Sequence, residues 1–146
     1  MRRYNLGFIS DEDIFNHVQT TVDKYRFSIN LSQFQDNIID PIKLTFDSKV
    51  YRKNIESIIG EEISRQIDKS NNNHIGYFHQ NLFGLIGHGW SVPSTGYDIE
   101  NKKKHIFVEM KNKHNTMNSS SAKNTLMRMQ NTCLQDEMAV CYLAEV

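Results

Sequence analysis

The chain has 146 residues, enough for a single domain with a sizeable core. Its 17 Lys and Arg balance 17 Asp and Glu, and 23% of residues are charged. That composition excludes a polycationic nucleic-acid tail and a disordered polyampholyte.

Ser10 reads as the N-cap of a first helix over 11–26, with Asp11, Glu12 and Asp13 in its opening turn. Ile14, Val18, Val22 and Tyr25 then recur at helical spacing. Residues 27–39 carry no clear period. Asp40-Pro41 marks a fresh helix start, with proline at the first helical position. From Asn54, the residues Ile55, Ile58, Ile59, Ile63 and Ile67 draw an apolar stripe down a helix ending near Lys69. Glu61, Glu62 and Arg65 lie off that stripe. Ser70–Asn73 reads as a polar connector, after which Ile75, Phe78, Leu82 and Ile86 resume helical spacing, with His79 and Gln80 on the flank. Gly84, Gly87 and Gly89 close this helix. The pattern predicts a helical N-terminal region, 1–73, and a core, 74–146, within one domain overall.

In the core the period changes. Trp90–Val92 reads as a short strand with Trp90 in the core, Pro93–Gly96 as a loop and Tyr97–Ile99 as a second strand. A turn at Glu100–Lys103 leads into a third strand, Lys104–Lys111. There Ile106, Val108 and Met110 alternate with His105, Phe107, Glu109 and Lys111, the two-residue period of a strand with one buried face. Asn112–Asn118 is a polar loop. Ser119–Ser121 offers N-caps for a helix whose stripe of Ala122, Leu126, Met129 and Cys133 predicts core packing, with Lys123 and Arg128 on its outer face. Met138–Ala144 is a largely apolar strand, as expected in the middle of a sheet. The element order predicts an α/β fold, a mixed sheet of about four strands flanked by helices. The chain stops as the last strand finishes, so a partner subunit covers the sheet or the chain is C-terminally truncated.

Cys133 and Cys141 sit in apolar surroundings without CxxC spacing, which predicts buried free thiols in a reducing compartment. Six histidines form no HExxH or paired Cys/His pattern, against a zinc site. No apolar run reaches the length of a signal peptide or membrane span, so a cytoplasmic protein without membrane contact is expected.

The chemistry gathers at the third strand. Glu109 and Lys111 share one strand face, and Asp98 lies on the strand before them, a D…ExK constellation. Hydrolysing a phosphodiester needs charge neutralisation at phosphorus and a hydroxide formed near neutral pH. A hard divalent cation on one or two carboxylates supplies both. Asp98 and Glu109 are the candidate ligands, with the Met110 carbonyl as a third and Lys111 placed to orient water or stabilise developing charge. Between Asn101 and Arg128 the chain carries seven Lys or Arg and a single acid, Glu109, a field that draws a phosphate backbone. The ExK triplet alone is weak, since a second one, Glu100-Asn101-Lys102, sits in the turn. The competing reading of Glu109 and Lys111 is an ion pair on a solvated sheet face. Asp98 one strand earlier, the order of elements and the basic neighbourhood favour a site.

This arrangement resembles the PD-(D/E)XK nuclease superfamily. His74–Gln80, Gly96–Ile99 and Val108–Thr116 resemble, more narrowly, the type II restriction endonucleases of the Eco47II type. The resemblance implies a restriction-endonuclease-like core, Mg²⁺ as cofactor and cleavage of double-stranded DNA at GGNCC. It also implies a homodimer and a cognate DNA methyltransferase that protects host sites. Asp98 and Glu109 would be the metal ligands and Lys111 the catalytic lysine. The helix before the strands often adds an acidic or amide residue to such sites, for which Gln80 and His79 are candidates, with Glu62 behind them. Asn112, Lys113, Asn115 and Thr116, leaving the active strand, and Lys123 on the following helix are candidate DNA contacts. Two departures stand out: no proline directly precedes Asp98, and chains of this type usually continue beyond the last strand. A nuclease without base specificity and a non-catalytic DNA-binding or assembly domain remain the alternative readings.

Overall fold

The computed structural model describes residues 3–111 and 117–146. They divide into two compact units, one of residues 21–75 and one joining residues 1–20 to 76–146.

The 21–75 unit is helical. Asn30 caps α2 (Leu31–Gln35) with a complete capping box: Asn30 Oδ1 accepts from Gln33 N–H, and Gln33 Oε1 accepts from Asn30 N–H. This places a helix in the stretch that lacked a clear period. Asp40 caps α3 (Pro41–Val50), accepting from the amides of Ile42 and Lys43, with Pro41 opening the helix as expected. α4 is a continuous helix of 32 residues, Ile55–Ile86. Ser70–Asn73, expected as a connector, are part of it. Their local preference for turns is overridden where the side chains of Asn71 and Asn72 find partners. Asn71 Oδ1 accepts from Arg26 N–H at 2.9 Å and its Nδ2 donates to the Arg26 carbonyl at 3.0 Å, while Asn72 donates to Asp68. Ile58 and Gln66 are buried here.

In the other unit, α1 (Asp11–Asp23) begins at the expected cap, with Ser10 Oγ accepting from Asp13 N–H at 3.0 Å. His17 Nε2 donates to the Phe78 carbonyl, and the two rings stack with centroids 4.6 Å apart. The sheet has three strands in the order β1 (Ile99–Asn101), β2 (Ile106–Lys111), β3 (Val140–Glu145). β1 pairs antiparallel with β2 at Ile99↔Val108, and β3 runs parallel to β2 with Glu109↔Leu143. It is thus an α/β fold with a mixed sheet. The fourth strand expected at Trp90–Val92 amounts to a single bridge, Ser91↔Glu100.

β1 and β2 join through a short 3₁₀ turn, Lys102–Lys104, rather than the earlier turn expected. His105 closes it in the left-handed region at φ 54°, and its Nδ1 meets Asp136 at 2.6 Å. Asn101, fully buried, holds the turn: its Oδ1 accepts from Lys104 N–H and its Nδ2 donates to the His88 carbonyl. Gly89, at φ 86°, lies against this amide, where a Cβ would come within 3.3 Å of Asn101 Oδ1.

The core consists of Ile99, Val108 and Met110, with Phe83, Trp90, Ile106 and Ala144 packed around them. Trp90 meets Phe83 edge-on, so it is core as expected. β2 is covered on its other face too. Glu109 is only 7% exposed, and Tyr97 packs on Phe107 with ring centroids 5.2 Å apart. The expectation of one solvated face is corrected: α5 (Ser119–Gln135) crosses it, through Arg128 and Thr132.

α5 differs from its sequence reading in three respects. Its N-cap is Asn118, whose side chain accepts from Ser121 N–H, rather than one of the serines. Thr125 is its buried residue, while Leu126 and Cys133, expected in the core, are exposed. Cys141 is half-buried, so neither thiol is enclosed as expected. β3, expected centrally, lies at a sheet edge among the described residues, with Val140, Tyr142 and Leu143 exposed. No helix among the described residues is long and apolar enough to cross a membrane.

Candidate active site

Asp98 sits at the point where β1 begins. Its amide donates to the Val108 carbonyl at 3.1 Å, adding one rung to the β1–β2 ladder. Its side chain is then held from two sides. Oδ2 accepts from Met110 N–H at 2.7 Å, and Oδ1 accepts from Gln80 Nε2, on α4, at 2.8 Å. Burial pushes the Asp98 carboxyl above the usual carboxylate range. The Met110 amide opposes this, the Glu109 charge adds to it, and Lys111 and Arg128 pull it back down.

Glu109 and Lys111 share a face of β2, as the strand period requires, and Lys111 Nζ donates to Glu109 Oε1 at 2.5 Å. The other carboxylate oxygen, Oε2, accepts from Arg128 Nη2. The Met110 carbonyl faces the Asp98 side of the strand. The carbonyls of His105 and Lys111 accept from β3 and its continuation (Val140 N–H at 2.8 Å, Val146 N–H at 3.0 Å), and alternate residues face opposite edges. Two carboxylates and a carbonyl are hard oxygen donors, a set suited to a divalent cation that keeps several waters. Among the described residues no group of three or more His, Cys, Asp or Glu side chains gathers for a metal, so these two carboxylates depend on the Met110 carbonyl and water to complete a cation's shell.

By its sequence reading Arg128 falls, with Lys123, on the outer face of its helix, the face expected to lie along DNA. In the fold it points inward. Nη1 donates to the Gly96 carbonyl at 2.5 Å, Nη2 to Glu109, and the guanidinium lies 5.1 Å from the centroid of the Tyr97 ring. Its Nε is buried without a hydrogen-bond partner among the described residues. Tyr97 is itself held, its hydroxyl 2.8 Å from Thr132 Oγ1 and 3.4 Å from Cys141 Sγ. Burial first, and then the Cys141 contact, push its phenol up to about 12. The signal for Arg128 was a polar stripe, Ser121, Thr125, Arg128 and Thr132, recurring at helical spacing beside the expected apolar one.

Two clefts flank this cluster. One of about 450 Å³ is lined by Glu109 and Arg128 together with Asn118, Ser120, Ser121, Asn124 and Thr125. The other, about 390 Å³, runs from Tyr77 and Gln80 along the 92–97 loop, Pro93 included, to Asp98.

The remaining candidates fall elsewhere. His79 Nδ1 is buried without a partner among the described residues, and its ring packs edge-on to Phe78. Glu62 belongs to the 21–75 unit. There Arg65 and Gln66 hold its carboxylate, and the Arg65 contact keeps it below the usual range. Lys123 is exposed on α5. Asn112, Lys113, Asn115 and Thr116 lie outside the described residues.

The family model described as Eco47II restriction endonuclease matches residues 6–146, and the chain belongs to that family. It is 32% identical, over 97% of its length, to the type II restriction enzyme Sau96I of Staphylococcus aureus, of which it covers 56%. It is 34% identical, over 77% of its length, to the type II restriction enzyme Eco47II of Escherichia coli, of which it covers 48%. The chain thus spans about half the length of these curated relatives. No solved structure matches it.

Proposed function

We propose that the chain carries the catalytic core of a site-specific DNA endonuclease of the PD-(D/E)XK type. It would hydrolyse phosphodiester bonds of double-stranded DNA with Mg²⁺ as cofactor. The observation that carries the reading is the convergence of Asp98, Glu109 and Lys111 from adjoining strands, bound to one another through the Met110 amide and the Glu109 carboxylate. Family membership supplies the DNA substrate class, and the resemblance of residues 108–116 favours GGNCC as the site cut. Action as a homodimer on a near-palindromic sequence, beside a methyltransferase that protects host sites, fits such an enzyme.

Asp98, Glu109 and the Met110 carbonyl would hold the cation. When bound, it would neutralise phosphate charge and supply a water that ionises near neutral pH. Gln80 keeps the Asp98 carboxylate from rotating, leaving its second lone pairs directed outward. Lys111, fixed by Glu109 Oε1, presents its remaining N–H bonds to an attacking water and to a non-bridging phosphate oxygen. Lys123, with Asn112, Lys113, Asn115 and Thr116, remains a candidate for backbone and base contacts.

Unmethylated phage DNA incubated with the purified chain, in Mg²⁺ or EDTA and beside Lys111→Ala, tests this. Discrete Mg²⁺-dependent fragments, absent with the variant, are expected. A smear would replace site specificity by a nonspecific nuclease. DNA binding without cleavage, indifferent to metal and to Lys111→Ala, would leave only a binding domain.

A further inference from the structure

Resting on the metal-site reading above, we propose that Arg128 is an exchangeable counter-cation. It occupies Glu109 while neither metal nor DNA is bound, and a DNA phosphate seated in the neighbouring cleft draws it away. Divalent cation and DNA would therefore bind cooperatively.

Four observations converge on this. First, both oxygens of Glu109 are engaged. Lys111 takes Oε1 and Arg128 takes Oε2, so Asp98 and Glu109 are matched charge for charge by one lysine and one arginine. A divalent cation entering that balanced cluster meets a guanidinium already on one of its ligand oxygens, and like charges so close are strongly unfavourable outside bulk water. Second, Arg128 is not locked there. Its side chain's only other hydrogen bond within the described residues is to the Gly96 carbonyl, its Nε is unused, and it remains 36% exposed. Third, the guanidinium carbon lies over the Tyr97 ring at 5.1 Å from its centroid, an aromatic face against which it can pivot. Fourth, among the described residues the cleft of about 450 Å³ that Arg128 borders has Glu109 as its only acid. Its other lining groups are the hydroxyls of Ser120, Ser121 and Thr125 and the amides of Asn118 and Asn124. Hydroxyl and amide donors beside a guanidinium suit a phosphate oxygen, and the guanidinium fork grips phosphate in bidentate fashion.

Arg128 would thus act as a positioning residue through Glu109, suppressing metal binding until substrate arrives. Mn²⁺ binding followed by electron paramagnetic resonance on the whole chain tests this without relying on cleavage. Arg128→Met keeps the aliphatic stem on Tyr97 and removes the charge. It should bind Mn²⁺ roughly tenfold more tightly than the unaltered chain in the absence of DNA. A short duplex, with Ca²⁺ competing against Mn²⁺ to prevent turnover, should tighten divalent binding by the unaltered chain and do so several-fold less in the variant. Arg128→Lys, which cannot hold Gly96 and Glu109 together, should rise in the same direction and serves if the methionine variant fails to fold. Equal or weaker Mn²⁺ binding in whichever variant folds, or the same DNA effect as in the unaltered chain, overturns the exchange. Glu109→Gln separates the two ideas. If it abolishes Mn²⁺ binding while the Arg128 variants change nothing, only the exchange is lost. If Mn²⁺ binds as well to Glu109→Gln, the metal-site reading falls with it.

Discussion

The end of β2 and the middle of α4 each hold a glutamate against an arginine. Glu109 and Glu62 are buried alike, with side chains 9% and 13% exposed. Arg65 reaches Glu62 from three residues along the same helix, and Gln66 from four, so that carboxylate is satisfied by its own turn. Glu109 is reached by Arg128 from another helix, with Asp98 nearby on a third segment and Gln80 beyond it on a fourth. Burial and ion pairing therefore do not distinguish a site from a structural pair. Convergence of distant segments on two carboxylates does, because local secondary structure has no need of it and only the fold can assemble it.

Breaking this comparison calls for paired variants. Glu109→Gln should reduce Mg²⁺-dependent cleavage by about a thousandfold or more, while Glu62→Gln leaves it within about twofold. Plasmid cleavage under single-turnover conditions reads both, and equal losses would end the distinction. Ile99→Ala, which opens a cavity in the core next to Val108 and Met110, should cost about 3 kcal/mol of stability in urea unfolding and weaken cleavage in the remaining folded protein. Ile58→Ala, in the 21–75 unit, should cost a similar amount and spare the cleavage rate of the folded fraction.

The two acids should also differ in how they respond to pH. Asp98 titrates above its ordinary range, so the fold favours its protonated form. That advantage is present below the ordinary carboxylate value and is lost as pH rises through the raised one, leaving an ionised group that opposes folding at neutral pH. Asp98→Asn should therefore raise the melting temperature at pH 7, by roughly 2 °C, while abolishing cleavage. Glu62 is the reverse case. Its ionised form supports the fold above the ordinary value, and the support fades as pH falls through the lowered one, so Glu62→Gln should lower Tm at pH 7 by about 1 °C. Scanning calorimetry at pH 7 resolves the signs, and matching signs would contradict the comparison.

What could be read from the residues was whatever depends on a short window. Ser10 and Asp40 as caps, Pro41 at a helix start and the alternation through Ile106–Met110 are local matters of hydrogen bonding and side-chain period, and they recur in the fold. The D…ExK spacing was equally visible, since an antiparallel pair joined by a tight turn brings Asp98 beside Glu109 and Met110 almost by geometry. Beyond that window the residues misled. Ser70–Asn73 look like a break until their amides find Arg26 and Asp68. Trp90–Val92 look like a strand, yet only Ser91 pairs. The apolar stripe of α5 reads as its inner face, although the sheet face the helix covers carries Glu109, and a buried carboxylate needs a polar partner more than a leucine. Sequence by itself determined the caps of α1 and α3, the strand alternation of β2 and the family of this chain. Only tertiary structure decided that α4 is unbroken, that β3 lies at a sheet edge and that Arg128 turns inward, because each depends on a partner far away in the chain.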